Sequence, residues 1–216
     1  MSVKTGTLQG VVGQEQPLSR HQLQIFRFDA KALVAGVILG VVMTIINAGI
    51  LERIDTAMTG GTWFPLAGGT HSTLSVISGL FFRLPAGWIT GETNALFAVI
   101  TGSTPVSWAF LINNAIYPVI VVLVSRVLSM KKWYHFAVLL APAILVGYAP
   151  MIPATYSVFH LTWGLAFKFQ LLTDVAAFVI ATVLAYLISQ AIARSRMFVI
   201  ARSAATARRR DDRNTP

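Results

Sequence analysis

The chain has 216 residues, of which 55% are hydrophobic and 12% are charged. Its mean hydropathy is +0.68. Soluble domains carry about 25% charged residues, so the composition argues against a soluble globular domain. The net charge of +9 would suggest nucleic-acid binding in a soluble protein, but most basic residues lie outside the apolar part of this chain. The lack of cysteine excludes disulfides, thiol nucleophiles and cysteine-based metal centres.

Three segments differ in composition: a polar N-terminal tail (residues 1–29), an apolar block (residues 30–193) and a basic C-terminal tail (residues 194–216). The first tail has no apolar core of a signal peptide, so we expect the first apolar segment to be an uncleaved anchor. A membrane-spanning helix needs about 20 apolar residues. The block contains six such segments, which are Ala32–Leu51, Trp63–Phe82, Ala86–Gly102, Pro105–Leu128, Tyr134–Ile152 and Gln170–Ala193.

The sequence therefore predicts an all-α, multi-pass bundle of six transmembrane helices. The second and third segments are the weakest, and five spans remain possible if these two form a re-entrant pair. With an inside N-terminus, fifteen of the seventeen basic residues fall on the inner side. By the positive-inside rule this places both termini in the cytoplasm and the protein in the cytoplasmic (inner) membrane, with no role for nucleic acid.

Prolines and aromatics mark irregular parts of the block. Pro118, Pro142 and Pro150 fall within predicted helices, where they would bend the helix. The segment Pro153–Lys168 is long and aromatic, and we expect a short interfacial helix or a lid there.

Small residues recur every four positions along the first segment, beginning with Ala32, Gly36 and Gly40. Such a stripe lets another helix approach at backbone distance. Two interpretations remain open, namely packing inside this protein's own bundle and docking onto a separate membrane subunit. A shorter stripe, Gly87 and Gly91, favours internal packing.

Glu92 is the only ionisable residue deep inside a predicted span. A charge there costs at least ~2.5–3.5 kcal/mol on insertion scales, which makes Glu92 a candidate ligand contact or a structural hydrogen-bonding group. Asn113 and Asn114 lie at a similar depth, with Trp108 beside them. These four residues form the first part of a predicted substrate site, although interhelical bonding would explain the asparagines equally well.

Aromatic and acidic residues also concentrate toward the predicted outer face, a combination that suits a flat cationic or heteroaromatic ligand. They are Asn47, Glu52, Asp55, Trp63, His71, Tyr148, Trp163 and Asp174. Of these we assign Trp63, His71, Trp163 and Asp174 to the predicted substrate site. The histidines are isolated, so we expect no metal. Neither a cofactor nor an enzymatic activity is predicted, since no nucleotide-binding or catalytic motif is present.

The run from Arg83 through Pro85 to Glu92 (RLPAGWITGE) resembles the "R-x-P-[GA] … E" segment of S components of energy-coupling factor (ECF) transporters, a class of ABC transporter. It is most similar to the YkoE family, which is linked to thiamine and its hydroxymethylpyrimidine precursor. The resemblance implies a six-helix S-component bundle that binds a vitamin-sized ligand from the outer side, under loops that close over it.

The same resemblance implies two kinds of partner, a transmembrane coupling subunit and two cytoplasmic ATPases. Ala32, Gly36 and Gly40 would then face the coupling subunit, and Glu92 would contact the ligand or act in gating. The predicted function is vitamin uptake as the substrate-binding subunit. The alternative is a small accessory subunit of a larger membrane complex, such as a respiratory, photosynthetic or monooxygenase assembly. A membrane-embedded enzyme acting on lipid is a weaker third reading.

Overall fold

The structure is a computed structural model that describes residues 25–61 and 63–194. Over these residues the chain is helical and contains no strand beyond one isolated bridge, which confirms the all-α prediction. The elements are α1 (Ala30–Ile46), a π-helical turn (Asn47–Leu51), α2 (Glu52–Thr59), α3 (Pro65–Phe82), α4 (Ala86–Thr101), α5 (Ser107–Ser125), α6 (Trp133–Gly147), α7 (Met151–Val158) and α8 (Trp163–Arg194). The two predicted cytoplasmic tails lie almost wholly outside the described residues.

Local chemistry explains where several helices begin and end. The Asp29 carboxylate caps α1 by accepting a hydrogen bond from the Ala32 amide at 2.9 Å. Pro65 occupies the first turn of α3, where a missing N–H costs nothing. Gly60 and Gly102 follow α2 and α4 with φ of 68° and 59°, a left-handed conformation that glycine adopts without strain.

Four helical stretches are long and apolar enough to cross a membrane. Among the described residues they are Ala30–Thr59, Ser107–Ser125, Trp133–Val158 and Trp163–Ile192. By length and composition, these helices are those of a membrane protein with several spans. The helices missing from this set are α3 and α4, which correspond to the two weakest predicted segments.

The position of α3 explains its unusual composition. It packs against α1, α4, α5 and α8, and fourteen of its eighteen residues are buried. Because protein rather than lipid surrounds it, its serine, threonine and glycine side chains carry no lipid-transfer penalty. Hydropathy alone therefore understates how deeply this helix lies in the bundle.

The segment after α6 differs from the prediction. A short helix, α7, overlaps the start of the expected Pro153–Lys168 region, but α8 already begins at Trp163, seven residues before the predicted Gln170. The prediction that Pro150 lies inside a helix was wrong, because Pro150 immediately precedes α7, a position where its fixed φ is favourable. Pro118 and Pro142 do lie inside α5 and α6.

The small-residue stripe of α1 is covered by α4. A Cβ on Gly36 would lie 3.0 Å from the Ala86 backbone, and one on Gly40 would lie 2.7 Å from the Thr93 side chain. Ala32 on the same face is fully buried. The structure thus corrects the expectation that this face meets a coupling subunit, because helices of the same chain already approach it at backbone distance.

The second glycine stripe also packs internally, as expected. A Cβ on Gly87 would meet Pro118 at 2.8 Å, and one on Gly91 would meet the Cβ of Asn114 at 2.9 Å. Both contacts join α4 to α5. These glycines fix the spacing of the two helices whose facing side chains line the cavity described below.

Candidate ligand-binding cavity

A cavity opens at the end of the bundle where α3, α5 and α8 begin, which we call the cavity end. The empty space within it is about 670 Å³, counted together with its open mouth. The opposite end, where α1 begins and α8 finishes, we call the tail end. The residues lining the cavity are Asn47, Glu52, Gly61, Trp63, Phe64, Ala67, Gly68, His71, Asn94, Val106, Phe110, Asn113, Asn114, Tyr148, Met151, Thr155, Gln170 and Thr173.

Amide side chains from α4 and α5 form one wall. The Asn114 Nδ2 donates to the Gly91 carbonyl at 2.8 Å, so this residue holds α4 against α5 while it lines the cavity. With its amide nitrogen assigned toward α6, Asn113 donates to the Gly147 carbonyl at 3.1 Å. Both asparagines therefore serve interhelical bonding and the cavity wall at the same time, and the two readings left open by the sequence are compatible.

Aromatic side chains line the inner part of the cavity. The Tyr148 ring stacks on Tyr117 with centroids 5.7 Å apart, and the His71 ring lies 6.2 Å from Tyr148. The hydroxyl oxygens of Tyr148 and Ser72 are 2.7 Å apart, and Tyr148 also donates to the Gly68 carbonyl at 3.2 Å. These bonds hold the Tyr148 ring in one orientation, so it offers a fixed aromatic surface to a ligand.

The wall formed by the end of α1 and the start of α2 is polar. Asn47 is 2% exposed and Glu52 is 5% exposed. The Asn47 Nδ2 donates to the Ala67 carbonyl at 3.2 Å. Within the described residues, the Oδ1 of Asn47 and the Oε2 of Glu52 have no hydrogen-bond partner, which is costly for buried acceptors.

Asp55 belongs to the scaffold rather than to the cavity. It is fully buried, and its two carboxylate oxygens accept hydrogen bonds from the backbone amides of Leu66 at 3.2 Å and Ala67 at 2.8 Å. It therefore caps the first turn of α3 from a different helix. The cap places α3 against α2 and so defines the rim of the cavity.

Half of the predicted substrate site lies in this cavity. Trp63, His71, Asn113 and Asn114 line it, whereas Glu92, Trp108, Trp163 and Asp174 do not.

Glu92 is half-buried on α4 and makes no hydrogen bond or ion pair with the described residues. The prediction that it contacts the ligand conflicts with this placement, because a different face of α4, through Asn94, meets the cavity. Trp108 is 45% exposed on the outside of α5, as expected of a residue in an interfacial aromatic belt.

Trp163 and Asp174 lie on α8, and neither of them lines the cavity. The Trp163 ring stacks on Tyr156 of α7 with centroids 4.3 Å apart and is 55% exposed. Asp174 accepts a hydrogen bond from Gln170 Nε2 at 2.5 Å and faces a second, apolar groove between α6 and α8. Gln170, one turn nearer the start of α8, lines the cavity in place of Asp174.

Sequence reasoning missed several lining residues. Asn94 is the clearest case, since an asparagine two positions after Glu92 inside an apolar helix is itself a signal of a polar interior. Gln170 enters the prediction only as the start of the last span, although it too is a polar amide.

The others carry no such signal, because Phe, Met and Thr are ordinary in membrane helices. They are Phe64, Phe110, Met151, Thr155 and Thr173.

No group of three or more His, Asp or Glu side chains that could hold a metal ion exists among the described residues. Comparison with protein-family models, curated proteins and solved structures finds no match. The function is therefore inferred from the cavity and from the residue pattern alone.

Proposed function

We propose that this chain is the substrate-binding membrane subunit of an uptake transporter of the energy-coupling factor type, with thiamine or its pyrimidine precursor as ligand. The observation that carries the proposal is the lining of the cavity, which combines aromatic rings, amides and one carboxylate. Such a lining suits a flat, polar heteroaromatic molecule. The S-component resemblance of the Arg83–Glu92 segment supports the transporter class, but the ligand contact that it implies for Glu92 lies outside this cavity.

The proposal requires six membrane-crossing helices with both termini in the cytoplasm. α3 and α4 have 18 and 16 residues, so at 1.5 Å per residue they extend about 27 and 24 Å. These lengths approach the hydrocarbon thickness of about 30 Å. With the tail end in the cytoplasm, the basic residues lie inside and the cavity opens outward, where an uptake protein meets its ligand.

Ligand closure in this proposal involves the connections at the cavity end. Trp63 and Phe64 line the mouth directly before α3, and the short helix α7 contributes Met151 and Thr155. These elements surround the opening, so a small rearrangement of them would enclose a bound molecule. Coupling to ATP hydrolysis would come from the partner subunits, which would contact a surface other than the buried stripe of α1.

The direct test is calorimetric titration of the purified chain with thiamine and with 4-amino-5-hydroxymethyl-2-methylpyrimidine. The proposal predicts saturable binding of at least one of them with one site per chain. Co-expression with candidate coupling and ATPase subunits should yield a complex. Failure of both experiments would reject the proposal and favour an accessory subunit of another membrane assembly.

A further inference from the structure

The cavity contains a set of buried acceptors without donors. The Oδ1 of Asn47, the Oε2 of Glu52 and the Oδ1 of Asn94 have no hydrogen-bond partner among the described residues. All three residues line the cavity, and each is at most 5% exposed. We call Asn47, Glu52 and Asn94 the acceptor triad.

The π-helical turn brings two members of the triad together. In a regular α-helix, residues five apart project about 140° from one another, so Asn47 and Glu52 would point to different surroundings. Here the Glu52 backbone N–H donates to the Asn47 carbonyl, a bond that closes over five residues. The wider turn brings Glu52 closer to the helix face of Asn47 than a regular α-helix would, and both residues line the cavity.

The orientation of the Asn47 amide follows from its surroundings. Its Nδ2 donates to the Ala67 carbonyl, so the oxygen is the atom left over and cannot exchange places with the nitrogen without losing that bond. Glu52, as a carboxylate, can only accept. The unpartnered atoms of these two residues therefore share one chemical requirement, which is an N–H or O–H donor from a bound molecule.

Charge points to the same class of ligand. Glu52 is the only acidic residue that lines the cavity, and no Lys or Arg lines it among the described residues. A buried carboxylate without a basic partner is costly unless it takes up a proton or unless a cation or a hydrogen-bond donor reaches it. A neutral acceptor-rich molecule would leave this cost in place, whereas an amine or an amino-substituted heterocycle would remove it.

We infer that the acceptor triad recognises the amino group of a nitrogen-bearing ligand, and that Glu52 is the residue that selects this ligand over its oxo analogue. The inference rests on the proposed function, in that it assigns the specificity of the same cavity. The π turn is the structural device behind it, because it aligns Glu52 with Asn47. An amino group facing Asn47 and Glu52 would donate to both of their unpartnered oxygens.

The test uses two matched pairs of probes. Thiamine is compared with oxythiamine, and 4-amino-5-hydroxymethyl-2-methylpyrimidine with its 4-oxo analogue, since within each pair only the amino group changes to oxygen. The wild-type chain should bind the amino member of at least one pair at least about tenfold more tightly. That ratio corresponds to the loss of one hydrogen bond to a charged group.

Glu52→Gln is the decisive variant. It keeps the side-chain shape and removes the charge, and it should weaken binding of the amino probe about 10- to 100-fold and reduce the preference over the oxo probe. Its ligand-free melting temperature should equal or exceed that of the wild type, since an unpaired buried charge is removed. Glu92→Gln is the matched control, the same change on a carboxylate outside the cavity, and should bind like the wild type.

The outcomes separate the inference from the proposed function. Equal binding of the amino probe by Glu52→Gln and wild type overturns the inference but leaves a ligand-binding subunit. Preference for an oxo probe does the same. If no amino or oxo probe binds the wild-type chain, both the inference and the thiamine-type function are rejected. If Glu52→Gln does not fold, Glu52→Asp replaces it, and binding that does not weaken with the shortened carboxylate overturns the inference.

Discussion

The carboxylate of Asp55 accepts the backbone amide of Ala67 at 2.8 Å across the turn between α2 and α3. A second bond from the Leu66 amide makes Asp55 the cap of a helix to which it does not belong. Ala67 in turn supplies the carbonyl that fixes the Asn47 side chain. One short stretch of backbone thus connects the scaffold of the bundle to a wall of the cavity.

Replacement of Asp55 by Ala should lower the free energy of unfolding by about 1–3 kcal/mol, because two buried backbone donors lose their partner. The measurement is thermal unfolding of the ligand-free chain in detergent. Asp29→Ala is the matched control, since Asp29 also caps a helix but is 42% exposed, and its loss should cost about 1 kcal/mol or less. Equal losses for the two variants would contradict the buried-cap interpretation.

The Asp29 cap should also weaken at low pH. Slight burial alone would raise the pKa of Asp29, but the Ala32 amide and the Arg27 guanidinium outweigh it and lower the pKa below its ordinary value of 3.8. A lowered carboxyl pKa stabilises the folded state above pH 3.8, and this contribution disappears as the pH falls through the folded-state value. Hydrogen exchange of the backbone amides measures the helix content at the start of α1. This helix content should decrease as the pH falls through that value in the wild type but not in Asp29→Asn.

Larger side chains on the stripe of α1 should destabilise the isolated chain. Gly36→Leu and Gly40→Leu place bulk where a Cβ already meets α4 at 3.0 and 2.7 Å, and overpacking typically costs ~1–3 kcal/mol. The melting temperature of the chain by itself reports the effect. Gly49→Ala is the control, because a Cβ there meets nothing within 4 Å. Unchanged melting combined with loss of a partner subunit would restore the docking interpretation.

Arg83 should stabilise the tail end of the bundle. Its Nη1 donates to the Ser125 hydroxyl at 2.8 Å, so it joins the end of α3 to the end of α5, where helix dipoles favour a cation. Burial, together with the nearby charge of Arg126, lowers the pKa of Arg83 to about 10, which is still well above neutral pH, so Arg83 stays charged and the Ser125 bond is a charge-assisted one. Arg83→Ala should therefore destabilise the chain by about 1–3 kcal/mol at neutral pH, measured by denaturant unfolding, without changing ligand affinity at the distant cavity.

Aromatic substitutions should divide into two groups. Trp63→Ala and His71→Ala remove side chains that line the cavity, and each should weaken thiamine binding about twofold to tenfold, since an aromatic contact contributes ~0.5–1.5 kcal/mol. Trp108→Ala and Trp163→Ala remove exposed side chains and should leave affinity unchanged. Calorimetric titration measures these affinities. If Trp108→Ala and Trp163→Ala weakened binding while Trp63→Ala and His71→Ala did not, the ligand would bind outside the cavity.

The sequence predicted the helical architecture well because hydrophobic length is a local property. Three of the six predicted segments match observed helices within three residues at each end. Two others extend five residues past the ends of α1 and α6, and the sixth, Gln170–Ala193, lies inside the longer α8. It did not predict how α3 is surrounded, because burial by other helices depends on the tertiary arrangement. For the same reason, the sequence of α3 is only marginally apolar for a membrane span although the helix lies at the centre of the bundle.

The candidate site was only partly predictable. Depth along a helix can be read from the sequence, but it placed Asn113 and Asn114 beside Glu92 and His71 nearer the outer face, whereas the structure brings His71 and both asparagines to one cavity. Which helix face meets the cavity cannot be read in the same way, and a difference of two positions separates Glu92 from Asn94. The π turn was also invisible, since nothing in the residues Asn47–Leu51 distinguishes a π-helical turn from an α-helical one.

The central claim is that a ligand enters the cavity from outside the cell. Because the chain has no cysteine, single-cysteine variants can report accessibility without background labelling. Thr155→Cys places a thiol in the cavity lining, and Lys131→Cys places one on the exposed tail end. In intact cells a membrane-impermeant maleimide should label the first and not the second, and saturating thiamine should protect Thr155→Cys. Labelling of Thr155→Cys only after permeabilisation, or labelling that thiamine does not slow, would contradict the claim.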